Sequence, residues 1–335
     1  MNITKCASAF IAGTTLFCAA PLGYAHHSPS NYDLSQVIEI EGQITRVLWR
    51  NPHVRIWVMP VGETDEDAVW EIQATPVVHF VRRGITRDLI NVGDLVRVAG
   101  SPARRSVNEM LPHNILLPGD LEFVLDADGE PRWSKNTIRP GREPEPASDP
   151  SLGIFRVWLS QGGFRQESFT LTDSARAVSE EMATRSWDAV LEGCQPKGMP
   201  EIMGQPNPME FVDQGDTILI RLEEYDTVRT VSMSPDAGNR GSAPTLLGHS
   251  VGEWQDGTLV VTTTGVDYPW FSQRGIPQSE ATEIVERFTV NEEGSLLTLE
   301  MTVTDAATFV SPARLTKTWT WRPGLEVLPF ECAEE

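Results

Sequence analysis

The residues best suited to metal chemistry are two adjacent histidines, His26 and His27. If the chain is cleaved just before them, they present a free α-amine, two imidazoles and the amide between them, a nitrogen-rich set suited to Cu(II) or Ni(II) in tetragonal geometry. His53, at the start of a predicted strand, is the candidate for a further ligand, with His79 and His113 as alternatives. The sequence therefore predicts a copper site, and the simpler alternative is a solvated histidine tail.

Cleavage at this point is what the N-terminal segment predicts. Lys5 precedes a run of apolar and small residues from 7 to 20, and small residues lead up to Ala25, which is the order of an export signal peptide. A membrane-spanning helix would need about 20 continuous apolar residues, and Pro21 ends this run too early. A lipid anchor on Cys18 is the less favoured alternative. We therefore expect a periplasmic or secreted protein that begins after Ala25 and has no transmembrane segment in the mature chain.

The cysteines support a disulfide in the exported chain. Removal of the signal peptide discards Cys6 and Cys18 and leaves Cys194 and Cys332. An even pair in an oxidising compartment usually forms a bridge. Neither cysteine lies in a Cys-x-x-Cys motif, so we expect the bridge to be structural rather than catalytic.

Three charged residues interrupt apolar faces of predicted strands in the second half of the chain: Arg229, Glu286 and Lys317. Side chains alternate between the two faces of a strand, and the residues that share these faces are Leu222 opposite Arg229, Ile284, Phe288 and Val290 beside Glu286, and Leu315, Trp319 and Trp321 beside Lys317. A charge inside a barrel carries a large desolvation cost unless it is paired. We therefore expect Arg229 and Glu286 to pair, with Lys317 near them.

The placement of Arg229 depends on the hairpin that precedes its strand. A two-residue turn would place Leu222 opposite Arg229. Glu223, Glu224 and Asp226 surround that turn as a cluster of carboxylates. Because they straddle a turn, we expect them to be solvated.

The charged strand residues admit three functions. A ligand pocket has an apolar wall with a few placed polar groups, and here Arg229, Glu286 and Lys317 would supply them, together with His249 and Trp254. An enzyme would use Glu286 as general base and Arg229 as anion stabiliser, with Lys317 as a further catalytic candidate. A structural ion pair in a passive envelope module is the third interpretation. Binding of a small molecule is our first prediction, and no motif indicates a protein partner.

Composition and motifs argue against several other classes of protein. The formal net charge of −20 would repel a polyanion, so we expect no binding of nucleic acid. The sequence contains no phosphate-binding loop, no His-Glu-x-x-His motif and no glycine pattern for dinucleotides. No motif therefore fixes a reaction.

The chain that must position these residues is predicted to be mainly β, with two domains. In residues 26–125, Pro76 and Gly84 bound a short helix at 77–83, as such residues usually do. Strands are predicted at 37–49, 54–59, 69–73, 95–99 and 113–117. Three strands, a helix and two strands is the order of an OB-like Greek-key barrel.

A linker rich in proline, glycine and charge is predicted at 126–152, before a second domain at 153–335. This domain begins with a helix that has Thr172 or Asp173 as N-cap and ends near Gly193. Strands are then predicted at 209–212, 217–224, 227–233, 250–254, 258–264, 283–290, 295–304 and 313–321. Their spacing and turns predict an antiparallel meander that closes into a lipocalin-like barrel, a fold able to enclose a ligand.

Short motifs in the first domain resemble a family of bacterial exported proteins. They are His26-His27-Ser28, Asn51-Pro52-His53, Arg82 to Asp88 and Gly93-Asp94. Over residues 26–118 the chain resembles the uncharacterised domain of unknown function 6152. The resemblance implies a small secreted β-barrel and supplies no established activity.

The second domain resembles another uncharacterised bacterial exported module. Residues 248–254, 257–261 and 285–288 carry the likeness. Similar sequences often have Asp-Pro after the penultimate strand and a histidine before the serine that corresponds to Ser279, whereas this chain has Asp305-Ala306 and Gln278. The resemblance implies export and a domain boundary, and it transmits no catalytic residue.

Overall fold

The computed structural model describes residues 32–332, except for 52, 105, 127–128, 140–145, 167–168, 183–193, 235–242 and 273–274. The predicted signal peptide, its cleavage site and the adjacent histidines lie outside the described residues. The described chain is mainly β and contains two barrels. Within it, none of the helices has the length and apolar composition needed to cross a bilayer.

The N-terminal barrel is built from five strands and one helix: β1 (Ile38–Leu48), β2 (Arg55–Pro60), β3 (Trp70–Gln73), α1 (Val77–Arg82), β4 (Leu95–Pro102) and β5 (Glu109–Leu117). The sheet order is β3-β2-β1-β4-β5, and a parallel pairing of β3 with β5 closes it. Apolar residues at alternate positions, such as Ile56 and Val58, are buried inside. The strand order and the helix between β3 and β4 confirm the OB-like prediction.

The length of β1 allows this small barrel to close. β1 pairs with β2 toward its C-terminal end and with β4 toward its N-terminal end. An irregularity in register between Ile44 and Arg46 bends the strand. Gly42 lies where β1 and β2 approach closely, and a Cβ atom there would collide with the carbonyl oxygen of Met59. Glycine at this position therefore permits the bend.

Part of the predicted linker packs onto the N-terminal barrel. Two short strands extend the sheet: β6 (Leu121–Val124) and β7 (Asn136–Ile138). The buried carboxylate of Glu122 accepts hydrogen bonds from the backbone N–H groups of residues 132–134 at 2.7 to 2.9 Å. The guanidinium of Arg97 lies 5.1 Å from the ring centroid of Trp133. This first stretch of the linker is therefore part of the N-terminal domain.

The C-terminal domain contributes twelve strands in the part of the chain that the structure describes: β8 (Val157–Ser160), β9 (Arg165–Gln166), β10 (Met209–Asp213), β11 (Thr217–Leu222), β12 (Thr227–Ser232), β13 (His249–Gln255), β14 (Thr258–Thr264), β15 (Trp270–Ser272), β16 (Ile276–Pro277), β17 (Glu283–Val290), β18 (Leu296–Thr304) and β19 (Ala313–Trp321). Nine of them close a barrel in the order β8-β10-β11-β12-β13-β14-β17-β18-β19. β9 pairs with β19, and β15 and β16 form a separate hairpin. The predicted barrel is confirmed.

One junction departs from the predicted antiparallel meander. Neighbouring strands of the C-terminal barrel are antiparallel except for β12 and β13, which run parallel. These two pair only at Val231 with Ser250 and at Ser232 with Val251. The connection of residues 233–248 is long enough to return the chain to the same end of the barrel, as a parallel pair requires. The short pairing leaves a gap in the barrel wall.

Residues 197–208, which we call the core segment, pack into the C-terminal barrel without forming a strand. Met199, Ile202 and Met203 are fully buried and belong to the same hydrophobic core as inward-facing strand residues such as Phe288. The core segment therefore occupies part of the interior in which the lipocalin-like prediction placed a ligand cavity.

The helix of the C-terminal domain begins where it was predicted. α2 (Asp173–Met182) follows Thr172, whose Oγ1 accepts a hydrogen bond from the backbone N–H of Ala175 at 3.2 Å. Thr172 is therefore the N-cap. The rest of the predicted helix, up to Gly193, lies outside the described residues.

The predicted disulfide joins Cys194 to Cys332. It links the chain that enters the core segment to the C-terminal tail. The backbone of Cys332 also pairs with that of Asn51 in an isolated parallel β-bridge. The side-chain amide of Asn51 donates to the carbonyl of Phe330. The tail therefore contacts both domains.

The helix α1 also contacts the C-terminal barrel. Arg82 forms a bidentate ion pair with Glu223, which is fully buried. Nε2 of His79 lies 2.8 Å from Oδ1 of Asn207 in the core segment. The N-terminal domain thus docks beside the turn between β11 and β12.

Candidate functional site

Arg229 on β12 and Glu286 on β17 form a buried ion pair, as predicted. Nη1 of Arg229 donates to Oε1 of Glu286 at 3.0 Å, and Nη2 donates to Oε2. Nε donates to Oγ of Ser250 at 3.0 Å, and Nη2 also donates to Oγ1 of Thr263 at 2.7 Å. A general base needs an oxygen within reach of its substrate, and both oxygens of Glu286 are engaged by Arg229. This network therefore favours a structural role for Glu286 over the catalytic one.

The hairpin before β12 differs from the predicted two-residue turn. Ile220 rather than Leu222 lies opposite Arg229, so the predicted register is wrong by two residues. Tyr225 and Asp226 both have positive φ values, 56° and 49°, which belong to a longer turn than the one assumed. Arg229 still points inward, because a shift of two residues leaves the face of a strand unchanged.

Lys317 on β19 is buried, but it does not join the Arg229–Glu286 pair. Its Nζ donates to the carbonyl oxygens of Met203 and Gln205 at 3.1 and 2.5 Å. β19 is separated from β17 by β18, so Lys317 lies on a different part of the wall. In the described residues, Lys317 binds the end of the core segment and forms no ion pair with Glu286.

The surroundings of Lys317 are largely apolar. Its Nζ lies 4.9 Å from the ring centroid of Trp319 and 5.9 Å from that of Phe164. Burial lowers the pKa of Lys317 to about 7; the carboxylate of Glu224 raises it and the ammonium of Lys197 lowers it. A large share of the Lys317 amine is therefore unprotonated at neutral pH.

A second buried ion pair lies beside Lys317. Nζ of Lys197 donates to Oε1 of Glu224 at 2.7 Å, and both side chains are almost inaccessible. Burial lowers the pKa of Lys197, but the carboxylates of Glu224 and Glu201 outweigh this effect and raise it above its usual value. Two neighbouring lysines thus have pKa values shifted in opposite directions.

The carboxylates at the β11–β12 turn are not all solvated, so that prediction is wrong for two of them. Glu223 is buried and paired with Arg82, and Glu224 is buried and paired with Lys197. Asp226 is exposed, as expected. The docking of α1 and of the core segment covers this turn, and neither contact is visible in the local sequence.

Three buried polar atoms near the two lysines lack a hydrogen-bond partner among the described residues: Oε2 of Glu224, the hydroxyl of Tyr268 and Nε1 of Trp319. Burial raises the pKa of Tyr268, and Glu201 and Glu224 raise it further, which places Tyr268 in the same group. Buried polar atoms are nearly always paired, so these can accept a partner from a small molecule or water. We call the following residues the lysine cluster: Lys197, Glu201, Glu224, Tyr268, Lys317 and Trp319.

Sequence reasoning missed most of the lysine cluster. Lys197 and Tyr268 lie outside the predicted strands, where no alternation of apolar residues marks a buried face. One usable signal was composition: among 27 lysines and arginines, the chain has only four lysines. They are Lys5, Lys135, Lys197 and Lys317. A residue used so rarely is a candidate for a special role.

A cleft of about 320 Å³ lies where β12 and β13 diverge. We call it the β12–β13 cleft. It is partly open to solvent, and Arg229 and Ser250 line it together with apolar groups. The residues around it include Val228, Arg229, Thr230, Leu247, His249 and Ser250.

Backbone groups also line the β12–β13 cleft. The backbone N–H of Met233 donates to the carbonyl of Asp216 at 2.9 Å. Hydrogen-bonded pairs alternate along an antiparallel ladder, so the backbone groups of Val228, Thr230 and Ser232 face away from β11. β13 pairs with β12 only from the Val231–Ser250 bridge onward, and a parallel bridge there uses the carbonyl of Thr230, so the amide and carbonyl of Val228 and the amide of Thr230 face the cleft.

The two remaining predicted ligand residues have different positions. His249 lines the β12–β13 cleft, and its Nε2 lies 2.9 Å from the carbonyl oxygen of Ala243. Trp254 is 48% exposed and packs edge-on against Phe155 at the other end of β13. Trp254 does not line the cleft, so its predicted role is not supported by the geometry.

Two of the predicted copper ligands make other contacts. Nδ1 of His53 lies 3.2 Å from the carbonyl oxygen of Ala74. His79 contacts Asn207, and burial lowers its pKa to about 4. His79 is therefore a buried, neutral contact between domains rather than an accessible ligand.

His113, the third alternative, is held by two side chains. Its Nε2 lies 2.9 Å from Oγ of Ser101, and its Nδ1 contacts the carboxylate of Asp126. In the part of the chain that the structure covers, no group of three or more histidine, cysteine, aspartate or glutamate side chains is arranged to hold a metal. Because His26 and His27 lie outside that part, the copper site stays a prediction.

Asp305 and Gln278, two residues named with the resemblance of the second domain, contact the β16–β17 connection and the core segment. Asp305 accepts hydrogen bonds from the backbone N–H and hydroxyl of Ser279, at 2.7 and 2.9 Å. The side-chain amide of Gln278 donates to the carbonyls of Met199 and Tyr268. Both residues therefore secure the core segment and its neighbouring loop.

Comparison with known proteins identifies only the N-terminal domain. Residues 14–111 match the model of a family described as Family of unknown function (DUF6152). No curated protein and no solved structure matches the chain. The match covers the OB-like barrel into β5, which agrees with the resemblance drawn from the motifs, and the β-rich C-terminal half is consistent with a second module. Over residues 14–111 the chain is therefore similar to the family of unknown function DUF6152.

Proposed function

We propose that the protein is an exported binding protein that holds a small ligand in the β12–β13 cleft of its C-terminal barrel. The cleft volume of about 320 Å³ supports this proposal, because ligand pockets usually measure about 300 to 1,000 Å³. The observation that carries the proposal is that Arg229 and His249, two residues singled out by sequence, line this one cleft.

The polar groups of the cleft favour an uncharged, hydrogen-bonding ligand. Arg229 is neutralised by Glu286 and is held in place by Ser250 and Thr263. It therefore offers a fixed polar surface rather than an unpaired charge for an anion. The backbone groups of Val228 and Thr230 add donors and acceptors spaced along an extended strand.

Apolar residues complete the cleft. Val228, Leu247 and Val251 line it beside the polar groups. A mixture of apolar surface and a few fixed polar groups is typical of sites for small molecules. The ligand we propose is therefore a small amphipathic molecule with amide, hydroxyl or carbonyl groups.

Export is supported by the disulfide. Cys194 and Cys332 are bonded, and structural disulfides persist mainly in the periplasm and outside the cell. This agrees with a signal peptide cleaved after Ala25, although that segment lies outside the described residues. We propose a periplasmic or secreted location on this basis.

The alternative of an enzyme in the barrel receives less support. Glu286 has both oxygens bound to Arg229 and is inaccessible to solvent, so a substrate could reach it only if the pair were broken. A passive envelope module would need no ligand at all. The experiment below separates that alternative from a binding protein.

The test is native mass spectrometry of protein purified from the periplasm of producing cells. We expect the wild-type protein to carry an added mass that is released on unfolding. Val228→Trp places a large side chain in the cleft from an exposed position, so we expect it to lose most of this mass. Val107→Trp is the matched control, since Val107 is 87% exposed in the other domain.

Equal ligand occupancy in Val228→Trp and Val107→Trp would place the ligand elsewhere. A wild-type protein that carries no added mass, and that binds none of the small molecules extracted from the same periplasm, would favour the passive module. Circular dichroism of each variant shows whether the fold is retained.

A further inference from the structure

Two of the four lysines of the chain, Lys197 and Lys317, are buried in the C-terminal barrel. Of its four lysines, Lys5 lies in the predicted signal peptide and Lys135 is exposed. Lys197 and Lys317 are both 2% exposed, inside one barrel. Elsewhere the chain uses arginine for its cations, including the buried Arg229. Arginine stays charged, whereas a buried lysine can lose its proton and act as a nucleophile.

The position of Lys317 suits such a role better than that of Lys197. Lys197 is engaged by the carboxylate of Glu224 at 2.7 Å, which holds it as an ammonium. Lys317 donates only to backbone carbonyls and lies against aromatic rings. Among the described residues, no carboxylate forms an ion pair with Lys317. Its nitrogen is therefore the one whose lone pair can become available.

We propose that Lys317 is a nucleophilic amine that captures a small aldehyde or ketone as an imine inside the C-terminal barrel. The nitrogen lone pair forms the C–N bond to the carbonyl carbon. The two amine protons leave with the carbonyl oxygen as water, so a carbonyl compound and an amine give an imine and water. The step needs no oxidant or reductant.

The lysine cluster provides the proton transfers that imine formation requires. The carbonyl oxygen must be protonated before it leaves as water, and the attacking nitrogen must lose protons. The hydroxyl of Tyr268 and Oε2 of Glu224 are buried and have no partner among the described residues. Tyr268 can donate a hydrogen bond to the oxygen, and Glu224 can accept a proton. Lys197 binds Oε1 of Glu224 and leaves Oε2 facing the cluster.

The groups around Lys317 limit the carbonyl compound to a small one with an apolar body. The rings of Phe164 and Trp319 lie within 6 Å of Nζ, and Met203 of the core segment contributes a backbone carbonyl rather than a charge. A charged substituent on the carbonyl compound would lose its hydration here, and no unpaired counter-ion is available among the described residues to compensate for that cost. This chemistry is independent of the β12–β13 cleft, since none of the cleft residues belongs to the lysine cluster.

The test is reductive trapping in the folded, full-length exported protein. We would incubate it with acetaldehyde and cyanoborohydride at pH 7, digest it, and measure alkylation of Lys135, Lys197 and Lys317 by peptide mass spectrometry. Lys135 is the internal reference, because its side chain is exposed to solvent rather than buried in a barrel. We expect Lys317 to be labelled at least tenfold faster than Lys135 and Lys197.

Two controls make the result specific. In denaturant the surroundings of Lys317 are lost, so Lys317 and Lys135 should be labelled at equal rates. Raising the pH should increase labelling of Lys135 steadily, whereas labelling of Lys317 should level off above neutral pH. The titratable groups that face Lys317 are Glu224, Lys197 and Glu201, and Glu224→Gln should slow the labelling of Lys317 if Glu224 accepts the proton.

Labelling of Lys317 no faster than that of Lys135 in the folded protein would overturn the proposal, whether the amine is protonated or out of reach. The outcome does not depend on a folded variant, because the wild-type chain supplies both lysines. A failure here would leave ligand binding in the β12–β13 cleft unaffected, since that site is measured by native mass spectrometry.

Discussion

The C-terminal barrel holds two groups of buried charge, and the hydrogen bonding within them differs. In the first, Arg229 is bound to Glu286, Ser250 and Thr263 through three of its nitrogens. In the second, the lysine cluster, a lysine contacts only backbone carbonyls and three polar atoms have no partner in the described chain. A network whose polar atoms are all hydrogen-bonded stabilises the fold around it. A network with unpartnered polar atoms keeps those atoms available to bind another molecule.

The elements that carry each group explain the difference. Arg229, Ser250, Thr263 and Glu286 lie on β12, β13, β14 and β17, whose ladders fix each side chain. The lysine cluster joins strand, turn and core segment. Side chains on irregular segments have fewer neighbours at fixed register, so complete pairing is harder to achieve. The comparison therefore predicts that the two groups respond differently when broken.

Loss of the disulfide should have the largest effect and should act mainly on the lysine cluster. Cys194 lies three residues before Lys197, and the bridge closes a loop with a sequence separation of 138. Replacing both cysteines by alanine should lower the free energy of unfolding by about 4 to 5 kcal/mol, the chain-entropy value for a loop of this size. Chemical denaturation measures the loss. Hydrogen exchange should increase more in residues 197–208 than in β12 and β17, and equal increases would refute the distinction.

Breaking the Arg229–Glu286 pair should come next. Glu286→Leu leaves Arg229 buried without its counter-ion, which costs about 3 to 5 kcal/mol of unfolding free energy. The double change Arg229→Met with Glu286→Leu should recover most of this loss, since replacing a whole buried pair by apolar residues is often close to neutral. Urea denaturation of both variants tests the prediction. If the double variant is as unstable as Glu286→Leu, the ion pair itself stabilises the barrel and its loss cannot be compensated by apolar residues.

Above neutral pH, the pH dependence of stability should come mainly from Lys317. The pKa of Lys317 is lowered to about 7 in the folded chain, against about 10.4 in an unfolded one. Between these values the unfolded state binds more protons, so stability rises with pH by up to about 1.4 kcal/mol per pH unit. Below pH 7 both states are protonated and this contribution to the slope disappears.

Denaturation at pH 7.5 and 9.5 measures this slope. Lys317→Met should remove it, whereas Lys135→Met, at an exposed position, should keep the wild-type slope. An unchanged slope in Lys317→Met would mean that other groups titrate in this window.

The smallest expected effect concerns the N-terminal histidines, which contrast with both buried groups because they would act through an exposed amine. Cu(II) should bind a chain that begins at His26 at least about tenfold more tightly than a chain with one added residue, because the extension removes the α-amine from the chelate. Isothermal titration calorimetry compares the two. Equal affinities would exclude an amine-anchored site.

Much of the fold follows from local sequence pattern. The alternation of apolar residues in β17 and β19 predicted both strands with their bounds, and it placed Glu286 and Lys317 on buried faces. The order of strands around α1 predicted the OB-like barrel. These features depend on the period-two pattern of a strand with one buried face, and that pattern is present in the sequence itself.

The parts that were not predicted depend on contacts between distant segments. The parallel step from β12 to β13 follows from the path of a long connection, which leaves no local pattern. Glu224 is buried because Lys197 packs over a turn that would otherwise be exposed. The core segment has apolar residues without a period, so neither strand nor helix could be assigned to it. The lysine cluster is made of such contacts, which is why only the rarity of lysine pointed to it.

The most direct test is the titration of the lysine side chains by nuclear magnetic resonance, in protein labelled with ¹³C and ¹⁵N in lysine. Three lysines remain after signal cleavage, so Lys135, Lys197 and Lys317 give resolvable signals. We expect Lys317 to titrate near pH 7, and Lys197, which is paired with Glu224, to keep its proton to a higher pH than an ordinary lysine. If Lys317 keeps its proton as far above neutral pH as Lys197 does, it is an ordinary buried ammonium that caps the core segment, and the distinction between the two charge groups is wrong.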